Sequence, residues 1–213
     1  MKQVKRYTII GILFVLITGT LSHFLYDWSG ANSIVGLFSP VNESIWEHMK
    51  LLFFPMLLYL PVMIFKFREL RSCIVSAFCF GILTGTLLIP ISYYGYHAVL
   101  DKDIFILDIS IFILSILVAF WLSYRFSISC ALKSYTLLFV GLVVIFFLCF
   151  IVFTCYPPDF SLFEDPSRHS DNQSSIMARN LPAASVNPLK STTAKSVVST
   201  GMISPPASKG SRL

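Results

Sequence analysis

Pro40-Val41-Asn42-Glu43-Ser44-Ile45-Trp46-Glu47-His48-Met49-Lys50 sets Asn42, Glu43, Ser44, Trp46, Glu47, His48 and Lys50 between two long apolar stretches. The apolar segment after it decides the fold. Leu51–Phe65 is only 15 residues long, too short for a bilayer core of about 30 Å at about 1.5 Å rise per residue. Begun at Ser44 the segment has 22 residues, enough to cross. The polar run is therefore expected to form the first turns of a membrane helix, at the depth where the bilayer meets water.

Four further apolar runs are long enough to cross unaided: Tyr7–Tyr26, Cys73–Tyr93, Ile104–Tyr124 and Tyr135–Cys155. Only 13% of the 213 residues are charged, about half of the roughly 25% of a soluble domain, and the mean hydropathy is +0.75. The expected fold is all-α: a polytopic transmembrane helix bundle of about five spans over residues 1–166, with a disordered C-terminal tail over 167–213. The tail is rich in Ser, Pro, Ala, Thr and Lys and has no aromatic residue, so it cannot bury enough apolar surface to offset its ordering entropy. Its six basic residues against Asp171 equal the whole chain's net charge of +5. The basic character thus belongs to the tail and gives no argument for nucleic acid as a partner; membrane lipids are the expected one.

Lys2, Lys5, Arg6, Lys66, Arg68, Arg71, Arg125 and Lys133 fall on one side of the expected membrane, and only Lys50 and Lys102 on the other. Lys and Arg near the spans favour the cytoplasmic side. The expectation is a multi-pass protein of a bacterial cytoplasmic membrane, N-terminus inside and C-terminus outside. Met1–Arg6 and the apolar run after it also fit a signal peptide, but Leu21-Ser22-His23-Phe24 is a poor small-residue cleavage site, so the first segment is read as a retained anchor.

The spans carry ordinary packing devices. Ala77, Gly81 and Gly85 recur every four residues, a spacing that lets helices approach closely. Pro55 and Pro61 are expected to interrupt or bend the second span. The cysteines form no CxxC pair and suggest no disulfide framework; they read as small apolar packing residues.

The candidate site is a set of polar residues converging on the outer leaflet: His23, Asn42, Glu43, Glu47, His48, His97 and Asp108. Taken singly, most have a structural explanation. Ser44 and Glu47 match a capping box, acids in a first turn suit the helix dipole, and Trp28, Trp46, Tyr93, Tyr94 and Tyr96 suit an interfacial aromatic belt. Asp108 is different, because a carboxylate inside a span faces a partner or a wet cavity. Taken together, imidazole and carboxylate are the ligands of zinc-like metals, with His48, Glu47, His23 and His97 as candidates. No HExxH, GxSxG, P-loop or dinucleotide motif is present, so no cofactor is assigned.

His23–Gly30, Val35–Tyr59, Asp108–Ser115 and Phe153–Pro166 together resemble DUF6512, a family of small Firmicute membrane proteins of unknown function, with Asn42 to Lys50 the most specific part. The resemblance covers roughly residues 7–166, and Ser167-Arg168-His169-Ser170 departs from the family's usual ending. It implies a membrane topology and no activity. Two functional classes remain open. One is a binding, sensing or accessory membrane protein, with a small ligand or protein partner at the outer leaflet. The other is a small intramembrane hydrolase, metal-dependent or not, acting on a lipid or envelope precursor.

The charge asymmetry makes a direct prediction. Reporter fusions after Arg71 and after Lys133 should behave as cytoplasmic, and one after Asp165 as external; an external signal at Arg71 would overturn the orientation.

Overall fold

The computed structural model describes residues 2–100 and 104–164. Asp101, Lys102, Asp103, Asp165 and the expected tail, with its boundary at residue 166, lie outside the described residues. The elements are α1 (Lys2–Trp28), the short α2 (Ser33–Gly36), α3 (Ile45–Lys66), α4 (Arg71–Leu100), α5 (Phe105–Ser129) and α6 (Thr136–Cys155), with single 3-10 turns at Arg68–Leu70 and Lys133–Tyr135. Among the described residues, five helices are long and apolar enough to cross a membrane, as the hydropathy predicts. The short α2 carries no hydropathy signal of its own; Asn32 caps it, its Oδ1 accepting from the Ile34 amide at 2.9 Å.

α3 and α4 form the middle of the bundle. α4 packs most extensively on α5 and then on α3; α1 lies on α3 and α5, and α6 on α4. Most of α6 faces outward, so Leu137, Leu138, Val144, Ile145 and Leu148 are exposed, as apolar side chains facing lipid tails can be. Because successive spans alternate in direction, one end of the bundle gathers Lys2, Lys66, Arg71, Arg125 and Lys133, the basic end. The other gathers His23, His48 and His97, the histidine end.

Small residues set the helix spacing. A Cβ built on Gly81 would stand 2.6 Å from the Ala119 carbonyl oxygen, and one on Gly85 would stand 2.7 Å from the Ala119 Cβ. α4 and α5 therefore touch along the stripe that the four-residue repeat predicts. The α1–α3 contact has another cause. α3 runs unbroken through Pro55 and Pro61, and α4 through Pro90, so the prolines do not interrupt the helix as expected. Pro55 has no N–H to offer the Leu51 carbonyl one turn earlier. Gly19 of α1 packs against that oxygen, so closely that a Cβ there would lie 2.5 Å from it. A glycine Cα–H can approach such a carbonyl as a weak donor.

Two further expectations need correction. Cys73 at the start of α4 and Cys130 at the C-cap of α5 form a disulfide, with Cα atoms 4.9 Å apart. Antiparallel packing joins residues 57 apart in sequence, so no local motif announces the pair. Cys79, Cys149 and Cys155 are free thiols. The bonded pair sits at the basic end, the end expected from the sequence to face the cytoplasm, a compartment that keeps most thiols reduced. Charge and sulfur thus pull opposite ways on orientation. Trp46 is the second correction: it is buried rather than interfacial. Its ring packs on Phe150, Phe153 and Phe163 with centroids 4.7, 5.5 and 4.9 Å away. Its amide donates to the Leu162 carbonyl at 3.1 Å, so the chain after α6 folds back over the start of α3.

Gly19→Ala should lower the thermal unfolding midpoint of the detergent-solubilised protein, at a cost of about 1–3 kcal/mol for overpacking. Gly95→Ala, at a position with open space around it, should leave the midpoint unchanged or raise it slightly.

Candidate functional site

The histidine end is built around the first turns of α3. Ser44 is the N-cap, its hydroxyl accepting from the Glu47 amide at 3.4 Å. The reciprocal half of the expected capping box is made by a different residue. The Ser44 amide is taken by Asn42 Oδ1 at 3.0 Å, which gives Asn42 a structural task.

The Glu47 carboxylate turns inward instead. Its Oε2 accepts from the Lys50 ammonium at 2.6 Å and from the Val41 amide at 3.0 Å. Lys50 is fully buried, and its Nζ also reaches Thr154 Oγ1 at 2.6 Å and the Gly36 carbonyl at 3.1 Å. Those three acceptors match the three protons of an ammonium. Thr154 passes its own proton to the Phe150 carbonyl at 2.6 Å. This network ties α3 to the end of α2 and to the last turn of α6, and through Val41 it holds the chain that leads to Glu43. Sequence reasoning passes over Lys50 as a member of the site. Its spacing of three from Glu47 in an otherwise apolar helix is the signal that marks it.

Glu43, one turn before Glu47, faces the other way. Its Oε2 lies 3.4 Å from His48 Nε2 and 3.6 Å from His23 Nε2, and the two imidazole rings meet edge to face with centroids 5.2 Å apart. One nitrogen of each histidine and one Glu43 oxygen all lie within 4.8 Å of one another. His48 is oriented from behind: its Nδ1 is 2.9 Å from the Ser44 carbonyl. A carbonyl only accepts, so Nδ1 carries the hydrogen and Nε2 is turned to the carboxylate. The hydrogen-bonding His23 imidazole holds the Glu43 carboxyl below the usual carboxylate range, opposed by partial burial and reinforced by the nearness of His48. The Glu43 side chain remains 55% exposed, so the group is open to exchange.

His23, Glu43 and His48 form one wall of a cavity of about 780 Å³ between α1, α3, α4 and α5; Asp108 is also among its lining residues, with Leu51, Ile89 and Phe112 supplying apolar surface. Tyr96 donates to Asp108 Oδ1 at 2.6 Å. Phe24, Phe105 and Ile109 also line it and are substantially exposed, so the cavity reaches the flank of the bundle. Of the seven residues read from the sequence, His23, Glu43, His48 and Asp108 share this cavity. Glu47 is engaged with Lys50, Asn42 with Ser44, and His97 stacks on Tyr93 at 5.6 Å between centroids. Of the metal-ligand candidates, His23 and His48 come together, while the carboxylate beside them is that of Glu43 and not of Glu47.

The family model of DUF6512, a family of unknown function, matches residues 1–170, and the chain belongs to that family. No curated protein and no solved structure matches it.

The buried pair predicts an asymmetric mutational response. Lys50→Met leaves the Glu47 carboxylate buried and uncompensated and should cost about 3–5 kcal/mol. Lys50→Met combined with Glu47→Leu should recover a large part of that loss, measured as unfolding midpoints in the same detergent.

Proposed function

We propose that this is a binding protein of a bacterial cytoplasmic membrane, taking up an amphiphile with its polar head at the His23–Glu43–His48 group and its apolar part along Leu51, Ile89 and Phe112. The observation that carries this reading is a cavity with two characters. His23, Glu43 and His48 are grouped on its wall, most of the other lining residues are apolar, and Phe24, Phe105 and Ile109 among them are exposed. Ligand sites of this kind combine a largely apolar lining with a few placed polar groups, and about 300–1,000 Å³ is their usual size. In the orientation that the Lys and Arg distribution favours, with the N-terminus inside and the C-terminus outside, the cavity serves the outer leaflet. A ligand could then enter sideways from the bilayer.

One observation favours the second reading, a small intramembrane hydrolase. Asp108 lies on the same cavity as the two histidines, held by Tyr96, and a carboxylate facing a bound ester or phosphodiester could act as general base. Such an enzyme would act on a lipid or envelope precursor.

Native mass spectrometry of the protein released from membranes should show a retained amphiphile. Thr20→Trp, which sets an indole at the cavity wall, should remove it while membrane insertion is unchanged. An unliganded wild type, or retention undiminished by Thr20→Trp, would defeat the binding reading. Turnover of the retained molecule, lost in Asp108→Asn, would establish the hydrolase in its place.

A further inference from the structure

We infer that His23 Nε2, Glu43 Oε2 and His48 Nε2 are the three protein ligands of a divalent transition-metal site of the zinc class. The assignment stands on the three donors themselves and not on what fills the cavity.

The distances are the first argument. Zinc sits about 2.0–2.1 Å from an imidazole nitrogen or carboxylate oxygen, so two ligand atoms of a tetrahedral site stand about 3.3–3.4 Å apart, the tetrahedron's edge. Glu43 Oε2 is 3.4 Å from His48 Nε2 and 3.6 Å from His23 Nε2. The third edge, between the imidazoles, falls within the 4.8 Å that encloses the group. A strong hydrogen bond between imidazole and carboxylate is shorter, about 2.7–2.9 Å. Two of the three edges are therefore those of neighbours around a common cation.

The tautomer is the second argument. With the Nδ1 hydrogen of His48 committed to the Ser44 carbonyl at 2.9 Å, Nε2 is the nitrogen turned to the Glu43 carboxylate, 3.4 Å from its Oε2. Fixing a ligating imidazole through its other nitrogen to a backbone carbonyl is the usual outer support of a metal-bound histidine. The fixed position of Glu43 is the third. Asn42 is tied to Ser44, and Val41 to the buried Glu47–Lys50 pair, so the chain on which Glu43 sits is held from within the protein.

Two nitrogens and one oxygen select the class. Imidazole suits zinc, copper, nickel and iron, whereas magnesium and calcium take oxygen. All three ligands line the cavity, so the remaining position opens into it, as in zinc sites that keep a place for water or substrate. Asp108 lines the same cavity and is held by Tyr96.

The test is metal titration of the full-length, tag-free protein in detergent after chelator treatment. The wild type should bind one equivalent of Zn²⁺, with a rise in unfolding midpoint. It should bind one equivalent of Co²⁺ with the intense visible absorption of four-coordinate cobalt, a readout that depends on no variant. His23→Ala, Glu43→Gln and His48→Ala should each weaken binding at least 10-fold, since losing even an outer partner of a ligand costs about 10–100-fold. His97→Ala should bind as the wild type does. No binding by the wild type, a six-coordinate cobalt spectrum, undiminished binding by the His23→Ala/His48→Ala double variant, or equal loss in His97→Ala would each overturn the assignment.

Discussion

The Lys50 ammonium, buried at the start of a membrane helix, is the constraint on which this end of the molecule depends. Removing an ammonium and a carboxylate from water costs several kcal/mol each, and their attraction repays it only when the remaining hydrogen-bonding capacity is filled. Here it is filled: Glu47, Thr154 and Gly36 take the three ammonium protons, and Val41 gives Glu47 a further donor. Each of those partners comes from a different segment. Satisfying one charge therefore fixes where α2, α6 and the chain ahead of α3 must lie, and with them the position of Glu43.

A second constraint acts from the side of α1. Pro55 frees the Leu51 carbonyl, and Gly19 is the residue that can sit against it. His23 is one turn beyond Gly19 on the same helix, and His48 is three residues before Leu51 on the other. The depth of the Gly19–Leu51 contact thus sets how closely the two imidazoles approach. A proline that reads as a helix breaker serves here as a contact point that aligns two helices.

Five spans were legible because hydropathy is a one-dimensional property: a run of about 20 apolar residues needs no partner to declare itself. The start of the second span could be read from the length deficit of Leu51–Phe65. What escaped was everything that depends on residues far apart in the chain. The bond between Lys50 and Thr154 joins positions 104 apart, and the disulfide spans 57. Trp46 shows the same limit, since interfacial and buried tryptophans look alike until the chain after α6 is seen to cover the ring. In the site, composition could nominate His23, Glu43, Glu47, His48, His97 and Asp108, but not divide them. Whether a carboxylate turns toward Lys50 or toward His48 is decided by helix phase and by the chain around Asn42.

Glu43 and Glu47 show how one residue type takes two fates within a single turn. Both stand at the start of the same helix, where the dipole favours a negative charge. Glu47 is buried beside a lysine whose every proton is spoken for, and replacing that lysine with an uncharged residue would strand the carboxylate in an apolar interior. Glu43 is half exposed and faces two imidazoles at distances longer than a strong hydrogen bond. Its partners can rearrange without exposing a buried charge. Chemistry that requires exchange, whether of a proton, a metal or a ligand head group, can therefore proceed at Glu43 and not at Glu47. Among the described residues, no carboxylate, amine or imidazole continues from this group through the middle of the spans to the basic end. Proton and ion relays run along chains of such groups.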